Sequence, residues 1–407
     1  MSRTVTAWVT CGADRLGVVG PFAVDVPWWA EVEPVVAHLR HVLGVPVLVL
    51  RLLTVDGGEG GRDGHVTYHV EALERPAPGP LIEWPERPGD HATLTGPQEL
   101  RSPWATMDGL GKILGWASDA LAAAGRPATG PVQQRKTWNL AGLFVLPTGQ
   151  GPVWLKATPA FATDEAAVID ALARVDPGLV PTVIAADQGR MLLEQVPGED
   201  CWDATDQTIA GGIGRFVAAQ AALADAPDEL PPGLPDRRTP VLAELVGELL
   251  DGPLADELTP DELTAARALA DRWPMLADCG LPDTLVHGDF HSGNWRGNDP
   301  HLPPVVMDFA DAHLGNPVLD GLRARDFLPP AKRAAATRAW TDAWAAHVPG
   351  SRPDRALIIA EPLAHLTYAV RYQEFLDGIE PSERIYHHGD PAAAIRAALR
   401  CGMAGRL

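Results

Sequence analysis

The sequence predicts an α+β protein with more than one domain. Its 407 residues exceed what one ordinary hydrophobic core accommodates, and 46% of them are hydrophobic while 21% are charged, as in globular proteins. Strand-like segments recur up to about residue 197, and helical periodicity dominates the remainder. Runs of strands that precede runs of helices are typical of the α+β class.

The charge balance argues against two classes of partner. The formal net charge is −20, whereas nucleic acids and anionic membranes both bind clustered Lys and Arg. We therefore expect neither nucleic acid nor a membrane as a partner. A negative cleft would accelerate the approach of a cationic substrate, but solubility alone also explains the charge. The sequence predicts no particular oligomeric state.

Three features predict a cytoplasmic protein. No run of about 18 uncharged apolar residues is present. Met1–Thr6 lacks the basic-then-apolar order of a signal peptide. The four cysteines are widely spaced and form no Cys-x-x-Cys pair, which indicates neither a zinc site nor a disulfide framework.

Residues 1–103 are predicted to form a separate α+β module. A strand-like segment at Thr4–Thr10 and a helix over Pro27–Leu43 precede a hairpin whose strands are Val47–Leu53 and His65–Ala72. This module contains no evident catalytic constellation, so the chemistry is expected elsewhere.

The rest of the chain divides into a linker helix at 104–129, a mixed segment at 130–197 and a mainly helical segment at 198–407. The segment 284–311 interrupts the helices and holds the motifs described next. The helices predicted after residue 198 lie at roughly 207–225, 238–251, 260–277, 331–347, 354–377 and 391–401.

The strongest functional signal is the octapeptide HGDFHSGN at residues 287–294, followed by Asp308 at the end of the apolar segment Val305–Met307. Phosphoryl transfer requires a carboxylate that orients the attacking hydroxyl and accepts its proton. It also requires an amide oxygen and a second carboxylate that hold Mg²⁺ against the phosphates. Asp289, Asn294 and Asp308 supply these groups in that order.

This pattern resembles that of the aminoglycoside phosphotransferase-like kinases, relatives of choline kinase and, more distantly, of protein kinases. The resemblance covers roughly residues 130–400. It implies a bilobal protein-kinase-like fold, with a small β-rich N-lobe, a helical C-lobe and an additional N-terminal α+β cap domain. It also implies ATP- and Mg²⁺-dependent transfer of the γ-phosphate to a hydroxyl of a small polar metabolite, such as an amino sugar, a sugar or an aminoglycoside-like compound.

By resemblance, each residue of the motif takes a role. Asp289 would be the catalytic base, Asn294 and Asp308 would be the Mg²⁺ ligands, and His287 and Asp320 would support the catalytic loop. Residues of these types are also common in ordinary turns. Their joint order, a loop followed by a strand-ending acid and a later aspartate, favours the kinase interpretation.

A second signal lies upstream at Lys156, which ends the apolar strand Val153–Lys156. A lone lysine at a buried position needs an anionic partner, such as ATP phosphates or a helix acid. By resemblance, Lys156 would contact the α- and β-phosphates and Glu165 would hold it. Asp164 is an equal alternative for that acid, since acids of either kind are favoured in a first helical turn. A solvated strand end would also explain Lys156.

A third signal is the segment Met191–Gly198, which resembles the family's connection between the lobes. Backbone groups of that connection pair with the adenine edge. Glu194, Gln195 and Val196 are the candidates here, although an ordinary exit from a strand into a loop explains the segment as well.

Two departures from the family pattern concern loop geometry and nucleotide choice, not the reaction. The segment Lys136–Gly142, where a phosphate-covering loop would lie, contains a single glycine. Ala310 stands where the protein-kinase form of the metal motif has glycine. Neither departure removes a reacting group.

Acceptor-binding residues are expected in the helical segment after the metal motif. The candidates are Asp311, Glu361, Tyr368, Tyr372 and Glu374. The spacing i, i+7, i+11 places Glu361, Tyr368 and Tyr372 on one helix face. Acids could bind ammonium groups and tyrosines could stack on sugar faces, whereas a surface helix with core-facing tyrosines is the competing explanation.

Two alternatives come from other functional classes. The first is a catalytically silent, nucleotide-binding pseudokinase, against which the joint presence of the lysine, the base and both metal ligands argues. The second is a metal-dependent hydrolase that uses His287 and His291, whose i, i+4 spacing suits zinc when it falls on a helix. Gly288 and the preceding apolar strand favour a loop instead.

Overall fold

The computed structural model describes residues 3–77, 79, 81–83, 94, 96–297, 299 and 302–404. It contains both helices and strands, which confirms the α+β class. The chain forms two compact units, each assembled from separate stretches of sequence. Unit 1 comprises Met1–Phe161, Ile184–Glu194 and Phe375–His388, and unit 2 comprises Ala162–Val183, Gln195–Glu374 and Gly389–Leu407. The four-part division at residues 103, 129 and 197 stays a prediction.

A four-stranded sheet forms the N-terminal part of unit 1. Its strands are β1 (Arg3–Cys11), β2 (Asp14–Val24), β3 (Val47–Asp56) and β4 (His65–Ala72), in the order β2-β1-β4-β3. β1 and β4 run parallel, and the other neighbours run antiparallel. The hairpin predicted for β3 and β4 is therefore present. β2 escapes sequence prediction because Gly17, Gly20 and Pro21 interrupt its strand pattern.

The helix Glu33–Leu43 packs on this sheet in one hydrophobic core. It begins later than the predicted start at Pro27, because Trp28 and Glu31 form isolated strand-like bridges instead. Gly44 adopts φ 70° and ends the helix as predicted, since glycine reaches this left-handed conformation without steric cost.

A five-stranded sheet forms the second part of unit 1. Its strands are β5 (Gln133–Trp138), β6 (Ala141–Thr148), β7 (Gly151–Ala157), β8 (Val183–Asp187) and β9 (Arg190–Glu194), in the order β5-β6-β7-β9-β8. The helix Met107–Ala123 shares its hydrophobic core, which includes Leu110, Phe144 and Leu155. The segment Lys136–Gly142 is the end of β5, a tight connection and the start of β6.

A buried ionic network joins the stretch Phe375–His388 to the sheets of unit 1. The Nε atoms of Arg51 and Arg101 lie 3.4 Å and 3.0 Å from the carboxylate of Glu380. Beside this pair, Glu383 accepts a hydrogen bond from a backbone amide of β3 at 3.5 Å. Burial, reinforced by the charge of Glu380, raises the pKa of Glu383 to about 8. This carboxyl group is therefore mostly protonated in the folded protein at pH 7.

Replacing Glu383 by glutamine should change how stability depends on pH. The folded-state pKa of about 8 exceeds the ordinary value of 4.5, so the unfolded chain loses this proton first as pH rises. Folded wild type therefore loses stability between about pH 4.5 and 8, and Glu383→Gln escapes that loss. Between pH 5 and pH 8, denaturant unfolding should show the free energy of unfolding of the variant rising relative to that of wild type by on the order of 1–3 kcal/mol. For the exposed-site control Glu59→Gln, the free energy of unfolding should depend on pH as it does in wild type. The same pH dependence for Glu383→Gln as for wild type would contradict the raised pKa of Glu383.

Unit 2 is mainly helical. Its helices are Glu165–Val175, Asp206–Asp225, Thr239–Asp251, Pro260–Ala270, Pro274–Ala277, Val318–Asp326, Pro330–His347, Pro353–Gly378 (whose last residues belong to unit 1) and Asp390–Ala404. Short 3₁₀ turns of unit 2 occur at Pro227–Glu229, Pro253–Glu257 and Ser292–Asn294. Two further 3₁₀ turns, Pro103–Ala105 and Pro381–Tyr386, belong to unit 1. Among the described residues, no helix is both long enough and apolar enough to cross a membrane.

Two small sheets frame the loops of unit 2. Their strands are β10 (Glu199–Asp200), β11 (Asp236–Arg237), β12 (Thr284–Val286), β13 (Trp295–Gly297), β14 (Val305–Val306) and β15 (His313–Gly315). The orders are β10-β13-β14 and β11-β15-β12. The single helix predicted over 260–277 is instead two helices, because Pro274 has no N–H for the helical ladder and starts a new turn.

Candidate active site

The octapeptide 287–294 forms the loop between β12 and β13. β13 pairs with β14 in antiparallel register, with Trp295 opposite Val306. The pairing continues one step further, where Met307 N donates to the carbonyl of Asn294 at 2.8 Å. Asn294, just before β13, therefore lies opposite Met307, and Asp308 is the next residue along the chain after Met307.

The start of the loop is anchored by Asp320, which is only 1% exposed. One carboxylate oxygen accepts from His287 N at 2.8 Å and from the side-chain amide of Gln220 at 2.8 Å, and the other accepts from Gly288 N at 3.1 Å. Burial raises the pKa of Asp320 to about 7 although these donors oppose the shift. The side chain thus fixes two consecutive backbone amides of the loop.

Gly288 is required by the space and the backbone conformation at its position. Its φ is +82°, which residues with a side chain rarely adopt. A Cβ atom there would lie 2.4 Å from the carbonyl oxygen of Asp311. The loop can therefore turn tightly against Asp311 only with glycine at this point.

His287 is fully buried and braces the loop from within. Its Nε2 lies 3.0 Å from the carbonyl oxygen of Met307, and its Nδ1 accepts from Asp289 N at 3.2 Å. Nε2 therefore carries the ring hydrogen and donates it. Burial lowers the pKa of His287, so the ring is neutral. This geometry suits the supporting role that the sequence predicts for it.

Both oxygens of the Asp289 carboxylate accept hydrogen bonds. Oδ1 accepts from Nε and Nη2 of Arg323 at 2.7 Å and 2.6 Å. Oδ2 lies 3.0 Å from Nδ2 of Asn294 and 3.3 Å from Nε2 of His291. Burial alone would raise the pKa of Asp289, but the Arg323 guanidinium and the His291 hydrogen bond hold it well below its usual range. The carboxylate is anionic and fixed in orientation.

Sequence reasoning missed Arg323, the main partner of Asp289. It lies on the helix Val318–Asp326, three residues after Asp320, and this spacing places both side chains on the same helix face. Because Asp320 is expected to face the catalytic loop, that spacing is the signal that could have identified Arg323. The guanidinium also stacks on the rings of Phe327 and Tyr368, with its Cζ atom 4.1 Å and 4.9 Å from the two ring centroids.

The residues predicted as metal ligands, Asn294 and Asp308, carry oxygen atoms of the kinds that Mg²⁺ prefers. Nδ2 of Asn294 donates to Asp289, so the side-chain oxygen is the atom that remains for a cation. Asp308 is exposed and has φ 66°, an uncommon conformation for aspartate. Its neighbours are held on both sides, by the Met307 bond to Asn294 and by a 2.9 Å bond from Phe309 N to Glu165. A carboxylate and an amide oxygen are preferred Mg²⁺ ligands, with phosphate and water completing the shell.

The two candidate helix acids have different positions. Asp164 caps the helix Glu165–Val175, because its side chain accepts from Ala167 N at 3.3 Å. Glu165 is buried, and its carboxylate holds the amide of Phe309 next to the metal motif. Lys156 is buried within β7 in unit 1. Pairing of Lys156 with either acid stays a prediction.

The three nucleotide-connection candidates differ in their surroundings. Glu194 ends β9, and its carboxylate pairs with Arg126 at 2.8 Å. The carbonyl of Val196 accepts from the side chains of Gln195, at 3.0 Å, and Arg296, at 3.3 Å. That carbonyl is therefore already engaged, and an adenine edge would use other backbone groups of the segment.

The acids predicted to bind the acceptor are all paired with arginines. Arg371 donates to Asp311 through Nε at 2.9 Å and Nη2 at 2.6 Å, and to Glu374 through Nη1 at 3.1 Å. Glu374 also accepts from Arg237. In the same way, Glu361 accepts from Arg325 at 2.7 Å.

The two candidate tyrosines are both partly buried, and the Arg323 guanidinium lies over the ring of Tyr368, with its Cζ atom 4.9 Å from the ring centroid. Burial raises the pKa of Tyr368 to about 12 and raises that of Tyr372 as well. Both phenols are therefore protonated and can donate hydrogen bonds. The acceptor-binding role of both tyrosines stays a prediction.

The zinc-hydrolase alternative does not fit the geometry of its two histidines. Both ring nitrogens of His287 are hydrogen-bonded, and the two of His291 contact Gly293 N and Asp289. Within the ranges that the structure describes, no group of three or more His, Cys, Asp or Glu side chains is placed to hold a metal ion. The loop residues are engaged in holding Asp289.

Comparison with known families identifies the class of this protein. A family model described as the phosphotransferase enzyme family, APH, matches residues 148–357, about half of the chain. The chain belongs to this family. The prediction that it is a small-molecule kinase of the phosphotransferase class is therefore confirmed. No protein of the curated set matches the sequence significantly.

Solved structures of phosphotransferases share its fold. A macrolide 2'-phosphotransferase type I is 16% identical with a TM-score of 0.50, over 69% of this chain and 96% of its own. A choline kinase from Streptococcus pneumoniae is 11% identical with a TM-score of 0.52, over 70% of this chain and 99% of its own. At these identities the likeness establishes the fold only.

Removing the Asp320 carboxylate should destabilise the protein. Asp320→Ala leaves two backbone amides and one side-chain amide without their acceptor, so the free energy of unfolding should fall by about 2–4 kcal/mol. Asp320→Asn keeps one acceptor oxygen and should lose less. Denaturant unfolding measures both, with Asp225→Ala at an exposed helix end as the control, expected within about 0.5 kcal/mol of wild type. A loss for Asp320→Ala no larger than the control's would show that the anchor is dispensable.

Proposed function

We propose that this protein transfers the γ-phosphate of ATP, with Mg²⁺, to a hydroxyl of a small polar metabolite such as a sugar, an amino sugar or an aminoglycoside-like compound. One observation within unit 2 carries the proposal. The anionic Asp289 carboxylate accepts four hydrogen bonds, one of them from Asn294. The backbone of Asn294 is bonded to that of Met307, the residue before Asp308. Phosphoryl transfer needs these three groups together.

The metal and the nucleotide would be held by residues with different positions. Asn294 and Asp308 would bind Mg²⁺, which when present bridges phosphate oxygens and neutralises the charge that develops on them. Lys156 would contact the α- and β-phosphates with support from Glu165. Backbone groups of residues 194–196 would meet the adenine edge.

Asp289 would act mainly by orientation. An acceptor hydroxyl would donate a hydrogen bond to Oδ2 in place of His291, whose Nε2 is the most distant of the four donors at 3.3 Å, and so direct its oxygen at the γ-phosphorus. Because the pKa of Asp289 lies well below its usual range, the carboxylate is a weak base and takes the proton only late, as the new O–P bond forms. That timing suits the loose transition state of phosphoryl transfer, in which positioning contributes most.

We extend the proposal to the architecture. The β5–β9 sheet supports a nucleotide-binding N-lobe at 130–197, and the helices of unit 2 support a catalytic C-lobe at 198–407. The β1–β4 sheet with its helix supports a cap module at 1–103, followed by a linker at 104–129. All four cysteines carry free thiols, which agrees with a reducing, cytoplasmic location.

Asp289→Asn should abolish turnover while the fold survives. Asparagine keeps the shape but loses the anionic acceptor, so kcat for acceptor-dependent ATP consumption should fall by about 10³-fold or more. The exposed-site control Asp342→Asn should retain wild-type kcat. Circular dichroism confirms folding of both variants. A near-normal kcat for a folded Asp289→Asn variant would show that the Asp289 carboxylate is not the catalytic base.

Asp308→Asn should weaken the use of Mg²⁺ specifically. Loss of one carboxylate ligand should raise the Mg²⁺ concentration for half-maximal activity by about tenfold or more. The titration is run at saturating ATP, with Asp342→Asn again as the control. An unchanged Mg²⁺ requirement would show that Asp308 does not bind the ion. ATP binding without consumption in wild type, across hydroxylated metabolites, would favour the pseudokinase alternative.

A further inference from the structure

Five side chains of unit 2 form a continuous stack beside Asp289, which we call the aromatic row. It consists of Trp202, His291, Phe327, Arg323 and Tyr368. The His291 ring lies 5.3 Å from Trp202 and 4.6 Å from Phe327, nearly parallel to both at 25° and 13°. Arg323 continues the stack over Phe327 and Tyr368. Two members of the row, His291 and Arg323, are also the groups that contact the Asp289 carboxylate.

Two members of the row present apolar surface to solvent. Trp202 is 45% exposed and Phe327 is 40% exposed, although residues of this size are usually more buried. Their stacking on His291 places this surface next to the carboxylate where an acceptor hydroxyl must bind. The aromatic row therefore offers an apolar wall for the acceptor.

The position of Trp202 is built into the catalytic loop. A Cβ atom on Gly293 would lie 2.1 Å from Cζ2 of Trp202. The indole therefore packs directly on the glycine backbone, one residue before Asn294. Because the indole packs on the backbone of Gly293, the position of Trp202 is set before any ligand binds.

The charges around the row do not suit a cationic acceptor. Asp311 and Glu374 share Arg371, and Glu361 and Asp326 share Arg325. Each of these four carboxylates is therefore already paired with a guanidinium, which weakens its attraction for a cationic acceptor. Arginine forks hold carboxylates better than a flexible ammonium does.

The row itself already contains a cation. Arg323 lies over the Phe327 ring, so a second positive group on that ring would meet a like charge at short range. An anionic acceptor would instead meet the Asp289 carboxylate and the triphosphate of the nucleotide. An uncharged acceptor avoids both repulsions.

We propose that the acceptor is an uncharged polyhydroxy compound, of the sugar or polyol class, whose C–H face packs on the exposed surface of Trp202, beside the exposed edge of Phe327. This inference rests on the proposed phosphotransferase function and narrows its acceptor. Tyr368 and Tyr372, which are protonated phenols near Asp289, supply hydrogen bonds to its other hydroxyls. The negative net charge of the chain thus does not select a cationic acceptor.

The test compares pairs of acceptors that differ only in an amine. ATP consumption is measured with D-glucose against D-glucosamine, D-galactose against D-galactosamine, and an uncharged polyol against its amino analogue. Wild type should use the uncharged member of its best pair with at least about tenfold higher kcat/KM. Failure of every uncharged member to exceed its amino partner, including failure of the whole panel, overturns the inference.

Two variants probe the surfaces that the inference names. Trp202→Ala should raise KM for the uncharged acceptor by about tenfold or more and leave KM for ATP within about twofold. Trp28→Ala, which removes a tryptophan of equal 45% exposure in unit 1, should change neither. Arg371→Met uncovers Asp311, while Glu374 keeps Arg237, and should shift preference toward the amino partner. An unchanged acceptor KM in Trp202→Ala also overturns the inference.

Acceptor-independent hydrolysis of ATP separates this inference from the proposed function. Wild type should hydrolyse ATP slowly in water, and Asp308→Asn should lose that activity. If this holds while amines are preferred, the acceptor assignment is wrong and the phosphotransferase function stands. If wild type neither hydrolyses nor transfers phosphate, the proposed function itself fails.

Discussion

The buried carboxylate of Asp320 is the constraint on which the candidate site depends. It accepts hydrogen bonds from two consecutive backbone amides, those of His287 and Gly288, and so sets the direction in which the chain leaves β12. Gly288 can then turn tightly at φ +82°, and Asp289 emerges where Arg323 meets it. The helix that carries Asp320 also carries Arg323, so a single rigid element fixes both the loop and the orientation of the Asp289 carboxylate.

That arrangement has an electrostatic consequence for the whole protein. The net charge of −20 suggests an acidic, cation-attracting cleft, yet arginines pair with each acid named around the acceptor side of the loop. Each of these carboxylates therefore already has a guanidinium bound to it. The excess negative charge therefore lies elsewhere on the chain, where it contributes to solubility more than to recognition.

Local patterns predicted the loop and the long helices because their signals lie within a few residues of one another. The motif around Asp289 and the acid Asp308 that follows the short strand β14 are of this kind. Trp202 could not be found in that way, since it reaches the loop only through tertiary packing on Gly293. Nor could the pairing of Glu374 with Arg237, which are 137 residues apart. Spacing predicts which groups are present, whereas packing decides which of them are already satisfied.

The departure at Ala310 illustrates the same distinction in the backbone. Glycine in the protein-kinase form of this motif suggests that a positive φ is needed there. In this protein the positive φ falls on Asp308 itself, and Ala310 does not share it. Such a conformation costs on the order of 1–3 kcal/mol. The hydrogen bonds that the backbone amides of Met307 and Phe309 donate on either side offset this cost. The backbone strain thus falls on the residue predicted to bind the metal, and Ala310 two residues later needs no left-handed conformation.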